Sequence, residues 1–306
     1  MAATALPGAR TASPRRRAFW RVLPNYLFVL PYFVIFAIFT VGPLGYTGYM
    51  SLYDRSLFST NPPFIGLDNY TNLWGDSLWL TVLQNTVEFV VISVIGVTLV
   101  ALGTALLIRS LKWGQTLVRT ILFAPSVLSA AIVVIIFNWM FAQDQGAFNY
   151  LLSLIGINKI PWTADPTWVI PSLALCTIWW VYGFPMIVFL AGLLNISPSL
   201  YEAAALDGAG PLARFFTVTL PLLRPTILFV MVTQVIAQFQ IFAQPEFITS
   251  GGPGDSSRVI LMYLYDTVWR HFKYGYGAAM AITLALIMAA ITAVEFFVLG
   301  RSAEEG

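Results

Sequence analysis

The chain has 306 residues, of which 58% are hydrophobic and 10% charged, and a net charge of +2. Soluble domains carry about 25% charged residues, so this chain has too few polar groups to clothe a surface in water, and its apolar side chains must face lipid. The small net charge gives no electrostatic footing for nucleic acid. The single cysteine, Cys176, excludes a disulfide framework or a CxxC redox pair; in its apolar run it reads as packing material.

The chain opens with a segment rich in Ala, Ser, Thr, Pro and Arg, with Arg15, Arg16 and Arg17 in a row. Residues 1–25 read as a flexible basic arm. A secretory signal is the competing reading, but the first apolar run is long and no A-x-A cleavage pattern follows it, so it reads as a retained anchor. Crossing roughly 30 Å of hydrocarbon takes about 20 apolar residues. Tyr26–Met50, Val82–Ile108, Val118–Ala142, Trp168–Leu194, Leu222–Ala243 and Tyr276–Leu299 all qualify. The expected fold is therefore all-α: a polytopic transmembrane bundle of about six crossings over 26–300, with a tail at 301–306. Two shorter helices are expected between crossings, at Gly146–Gly156 and Val259–Arg270, with a turn-rich loop at Thr249–Arg258 (TSGGPGDSSR).

Basic residues set the orientation. Arg10, Arg15, Arg16, Arg17, Arg21, Arg109, Lys112, Arg119, Arg214, Arg224 and Arg301 fall on one side. Only Arg55, Lys159, Arg258, Arg270 and Lys273 fall on the other, together with Asp54, Asp68, Asp76, Asp144, Asp165, Glu246, Asp255 and Asp266. The first side is expected to be cytoplasmic, with both termini inside.

Several chemistries are excluded. A P-loop needs a lysine after glycine, so that backbone N–H groups cradle phosphate and the ammonium reaches it; Lys112, Lys159 and Lys273 follow Leu111, Asn158 and Phe272. His271 is the one histidine, which leaves Ser–His catalysis and histidine metal sites almost nothing to work with. No catalytic or metal residue is expected.

The segment Asn195–Thr226 (NISPSLYEAAALDGAGPLARFFTVTLPLLRPT) is long for a connection in so compact a chain. Ser197-Pro198-Ser199 can start a helix, with Leu200, Ala203 and Ala204 as its apolar face. Gly208 and Gly210 end it, and Pro211 sits where a second helix begins, with Leu212, Phe215 and Phe216 on its apolar side. Glu202 and Asp207 flank the turn. The segment reads either as a docking surface or as an interfacial amphipathic helix packed on its own bundle.

Glu202-Ala203-Ala204, then Gly208, Val218 and Leu220-Pro221, resembles the EAA loop of binding-protein-dependent ABC importer permeases, with Val218 where that family usually has Ile. Phe64-Ile65-Gly66-Leu67-Asp68-Asn69-Tyr70 is similar to the F-x-G-L-x-N-Y segment of the carbohydrate-importer branch. Thr249-Ser250-Gly251-Gly252-Pro253-Gly254 is similar to the T-x-G-G-P-G loop of its maltose and glycerol-phosphate first permeases. The resemblance spans nearly the whole chain. It implies a subunit of the cytoplasmic (inner) membrane of a prokaryote, working with a second permease, two ATP-binding subunits and an extracytoplasmic solute-binding protein. It also implies that Glu202, Ala203, Ala204, Asp207, Gly208, Leu220 and Pro221 form the contact with the ATPase. ATP and Mg would sit on that partner, with no cofactor on this chain.

A hydroxyl stripped of water costs a few kcal/mol unless re-paired, so a sugar path needs uncharged hydrogen-bonding groups and aromatic faces. Gln234, Gln238 and Ile241 fall at i, i+4, i+7 in the fifth crossing, with Gln240 and Gln244 on another stripe; Trp179, Tyr182, Gly183 and Met186 share a stripe in the fourth. Helix–helix hydrogen bonding and ordinary aromatic packing are the competing readings. Gln84, Asn85 and Asn138 are further candidates. Glu88 is the one acid well inside a crossing, and Glu295 lies near the end of the last. The crossings hold no Lys or Arg in their interiors, which favours a neutral sugar over glycerol phosphate. A stand-alone ion-coupled transporter would need linked intramembrane charges and paired broken helices; a membrane scaffold would not need the glutamines.

Overall fold

The computed structural model describes residues 28–300, so the arm expected at 1–25 and the tail at 301–306 lie outside the described residues. Helix α1 spans Phe28–Met50, with a π turn at Ala37–Val41. It is followed by α2 (Asp68–Gly75), α3 (Ser77–Ser110), α4 (Gln115–Val127), α5 (Ala130–Met140), α6 (Ala147–Leu154), α7 (Pro166–Val181) and α8 (Gly183–Leu194). Then come α9 (Pro198–Leu206), α10 (Pro211–Leu222), α11 (Arg224–Phe239), α12 (Ile260–Tyr265, continued by a π turn at Asp266–Arg270) and α13 (Tyr274–Val298). Among the described residues there is no strand. Helices α1, α3 and α13 are each long and apolar enough to cross a membrane, and the pairs α4–α5, α7–α8 and α10–α11 bring the total to six if each is one span.

Those pairs are sharply bent. Helices α4 and α5 meet at 94°, α7 and α8 at 54°, and α10 and α11 at 66°. Each bend has a local cause. Leu128 and Ser129 are extended (ψ 143° and 151°), which takes the chain out of the helix between α4 and α5. Pro185 has no N–H for the carbonyl of Val181, and Pro225 has none for that of Pro221. The fifth crossing ends at Phe239 rather than Ala243, where Gln240 leaves the helical region (φ −98°, ψ 17°).

Helix α3 is the mast of the bundle. Its buried positions include Val82, Thr86, Phe89, Ser93, Val97, Ala101, Ala105 and Ile108, a step of three or four residues that keeps one face inward. Its first half packs with Leu173 of α7, Phe239 of α11, Ile260 of α12 and Met280 of α13; its second half packs with Met186, Phe189 and Leu193 of α8 and Val230 of α11. Lipid removes the hydrophobic drive between helices, so this packing holds by dispersion and by polar bonds. By contrast α1 has no buried residue in its apolar window and leans on the bundle near its end.

The two breaks in α4–α5 and α7–α8 touch. Ser126 Oγ donates to the Trp180 carbonyl at 3.0 Å, and Trp180 Nε1 donates to the Leu128 carbonyl at 3.1 Å. Gly183 makes this approach possible: a Cβ there would lie 2.5 Å from Ser126 Oγ and 3.1 Å from Phe123 Cα.

At the end where α3 begins, Asp76 caps the helix, accepting from the N–H groups of Leu78 (2.9 Å) and Trp79 (3.4 Å). Its other oxygen accepts from the hydroxyls of Tyr263 and Tyr276, the latter at 2.8 Å. Partial burial works against the Asp76 charge, but these bonds outweigh it and hold the carboxyl below the usual aspartate range. An N-cap is worth about 1 kcal/mol, and hydrogen bonds to a charged group add to it. Asp76→Ala is expected to lower stability by about 2 kcal/mol, read as thermal unfolding of the purified protein in detergent. The depressed folded pKa means that this stabilisation is present above the unfolded carboxyl pKa of ~4 and is lost as pH falls through the folded value. Acidification below that point should therefore cost the wild type more than the variant; equal losses would show that Asp76 carries no such linkage.

Candidate functional site

The segment Asn195–Thr226 folds as two helices around a turn. Pro198 occupies the first turn of α9, and Pro211 that of α10. At the turn Gly208 takes φ +82°, where a side chain would be strained; its N–H donates to Ala205 O (3.1 Å), and Ala209 N–H donates to Ala204 O (2.9 Å). These bonds satisfy the last carbonyls of α9.

The apolar face read over Leu200, Ala203 and Ala204 divides in the structure. Leu200 and Ala203 are exposed, while Tyr201 and Ala204 turn toward the bundle. Tyr201 is the anchor: its hydroxyl accepts from Arg109 Nη1 at 2.9 Å and bonds Thr219 Oγ1 at 3.0 Å, and the Arg109 guanidinium lies 4.7 Å over its ring. One side chain thus ties α9 to the end of α3 and to the last turns of α10. With α9 so held, Leu200, Glu202, Ala203, Leu206, Asp207 and Leu212 face outward, with Leu206 89% exposed. Leu220 and Pro221 lie in the last turn of α10, half-buried. On α10, Phe215 packs against the core while Phe216 stays exposed.

The candidate path residues divide. Gln234 and Gln238 lie one turn apart on α11, both buried, and Gln238 Nε2 donates to Gln234 Oε1 at 3.1 Å. Each amide keeps further hydrogen-bonding capacity. Gln244 donates to Thr177 Oγ1 of α7 at 3.4 Å. Ile241 does not continue the glutamine stripe as expected: α11 has ended, and Ile241 packs in the core with Phe239. The aromatic stripe of the fourth crossing is broken by the bend after Tyr182. Trp179, on α7, stays 36% exposed, with its ring edge-on to Phe137 at 5.5 Å. Tyr182 and Met186 are buried against α3, and Gly183 lies on the α4–α5 break.

Other candidates have structural duties. Asn85 Nδ2 donates to the carbonyls of Asp255 (2.7 Å) and Arg258 (3.0 Å), and Thr86 Oγ1 accepts from Ile260 N–H at 3.0 Å. These bonds pin the Thr249–Arg258 loop to α3. Within it Ser257 bonds Thr249 Oγ1 and the Gly252 carbonyl, each at 2.7 Å. Arg258 pairs with Asp255 (2.8 Å) and Arg270 with Asp266 (3.0 Å). Asn138 donates to the Phe247 carbonyl at 3.3 Å. Gln84 and Glu88 are exposed side by side on α3, and Glu88 has no ion pair among the described residues. Among the described residues no group of His, Cys, Asp and Glu is placed to hold a metal.

Sequence reasoning missed Tyr201, Arg109 and the Ser126–Trp180 clamp. Tyr201 beside Ala204, at i and i+3, was the available signal; nothing local marks Ser126 as a partner of Trp180.

The protein-family comparison matches residues 97–300 to the binding-protein-dependent transport system inner membrane component. The chain is 35% identical over 272 residues to the sulfoquinovosyl glycerol transport system permease protein SmoG of Agrobacterium fabrum, covering 88% of this chain and 87% of SmoG. It is 33% identical over 279 residues to the lactose transport system permease protein LacF of Rhizobium radiobacter, covering 89% and 93%. Among solved structures, a chain of a bacterial ABC transporter involved in the import of the acidic polysaccharide alginate superposes with a TM-score of 0.77 at 25% identity, covering 93% of this chain and 98% of that one. With its bent helix pairs, its α9–α10 turn and this breadth of likeness, the chain belongs to the family of inner membrane components of binding-protein-dependent transport systems.

Proposed function

We propose that this chain is one half of the membrane path of an ATP-driven sugar importer, set in the cytoplasmic membrane of a prokaryote with α9 and α10 on the cytoplasmic side. Its partners are a second permease, two copies of an ATP-binding subunit, which hold ATP and Mg, and an extracytoplasmic binding protein that delivers the solute. The observation that carries this reading is the α9–Gly208–α10 unit. It is braced from behind by Tyr201 and shows an apolar ridge of Leu200, Ala203, Leu206 and Leu212, with Glu202 and Asp207 beside it. Exposed apolar residues grouped on a rigid support mark a docking surface. Motion of the ATPases is carried through this unit to α3 and α11, and rocks the two permeases between inward-open and outward-open states.

The path is neutral in character. Gln234 and Gln238 offer amides to sugar hydroxyls, and Trp179 offers an apolar face. Tyr182, Gly183, Met186 and Ile241 shape the wall behind them. The broken pairs α4–α5 and α7–α8 also suit a secondary transporter, but linked charges of the kind an ion-coupled cycle needs are not among the described residues of the crossings.

Two measurements test this. The complete transporter reconstituted in proteoliposomes should show sugar-stimulated ATP hydrolysis. Gly208→Pro, which fixes φ near −65° where +82° is needed, should abolish the stimulation with the subunit composition unchanged. Equal stimulation in both would reduce the loop to a packed connection. Separately, Gln238→Leu should raise the KM for transported sugar about tenfold, the worth of roughly one hydrogen bond. An unchanged KM with lowered thermal stability would assign the glutamine pair to helix packing.

A further inference from the structure

Behind the α9–α10 turn lies a cleft of about 300 Å³ lined by Leu106, Arg109, Tyr201, Pro211, Arg214, Phe215 and Thr219. Two guanidiniums share it and no lining residue is a carboxylate. No ion pair among the described residues involves either arginine. Arginine stays protonated under all ordinary conditions, so neither charge can be shed. Arg214 Nε is buried without a hydrogen-bond partner, and a buried donor left unmet is destabilising. The Tyr201 hydroxyl accepts from Arg109 and shares a hydrogen bond with Thr219 Oγ1. Both charged groups in the cleft are donors, and one of those donors is unmet.

Such a cleft is complementary to an oxyanion with several acceptor oxygens, and arginine pairs suit phosphate above all. Arg109 is the penultimate residue of α3, which places the cleft at the membrane boundary. We infer that this cleft binds a phosphate group, supplied either by the headgroup of an anionic phospholipid or by free inorganic phosphate. Bound there, the anion links Arg109 of α3 to Arg214 of α10 beside the Tyr201 anchor of α9. It completes the brace that holds the docking ridge, and so sets how stiffly that ridge is joined to the bundle.

The test uses the complex purified from membranes, with thermal unfolding of this subunit and native mass spectrometry as readouts. Neither readout depends on transport, so the inference can fail while the importer reading stands, and the reverse. In nanodiscs of phosphatidylcholine, replacing a third of the lipid with phosphatidylglycerol should raise the unfolding temperature by about 3 °C and leave phosphatidylglycerol bound after delipidation. Millimolar inorganic phosphate in phosphatidylcholine discs should give the same rise if the free anion is the source, and none if the lipid is. The combined Arg109→Gln and Arg214→Gln variant should lose the response, whereas Arg119→Gln, exposed and outside the cleft, should keep it. If the double substitution does not fold, Arg214→Gln alone carries the test, since it leaves the Arg109–Tyr201 contact in place. An equal response in wild type and cleft variant would reduce the effect to general surface charge and overturn the inference. So would the absence of any response in the wild type, with Arg214 shielded from phenylglyoxal only while the ATPase is bound, which would give the cleft to an ATPase carboxylate.

Discussion

Inside a bilayer each backbone N–H and carbonyl must find a partner within the protein, because there is no water to supply one. A straight helix meets that demand by itself. Among the described residues three helices could cross alone, and the other candidate spans are built from helices interrupted at Leu128–Ser129, Tyr182 and Leu223. Every interruption frees polar groups that must be closed elsewhere. Ser126 and Trp180 close two of the freed carbonyls by bonding across the breaks, so one break is held in shape by the other. Straight α3 supplies the surface against which both rest.

The same economy is visible at the two ends of α3. At its start, Asp76 joins the helix to Tyr263 of α12 and Tyr276 of α13, and Asn85 and Thr86 fasten the glycine-rich loop. At its other end, Arg109 reaches Tyr201. A force applied to α9 therefore arrives on the mast through Tyr201, by its hydroxyl and its ring, and passes by way of α10 into α11 at the bend at Leu223. The proposed docking ridge, the glutamine pair on α11 and the loop at the start of α3 are thus joined through α3 and α11, as the importer reading requires.

Much of this was legible in the sequence. Apolar length marked each crossing, the Pro198, Gly208 and Pro211 punctuation marked the α9–α10 turn, and the loop at Thr249–Arg258 stood out by its glycines. Hydropathy failed where its premise fails. It grouped Leu200, Ala203 and Ala204 as one apolar face of α9 without saying which way that face turns; in the structure Leu200 and Ala203 are exposed and the amphipathic Tyr201 turns in. It joined Gln234, Gln238 and Ile241 into one stripe because periodicity alone does not show that Gln240 leaves the helix. The sharp bend between α4 and α5 escaped notice because the run is uniformly apolar, and the contact that stabilises it, Ser126 with Trp180, lies 54 residues away.

The central claim is that the ridge on α9 is a docking surface for the ATP-binding subunit. A photo-crosslinking amino acid placed at Ala203, which is exposed on that ridge, tests it in intact cells. The account predicts an adduct with the ATP-binding subunit, and none from the same group placed at Leu154 on α6, at the far side of the bundle. Adducts at Ala203 confined to lipid or to this chain itself, with the ATP-binding subunit present and the transporter active, would contradict it.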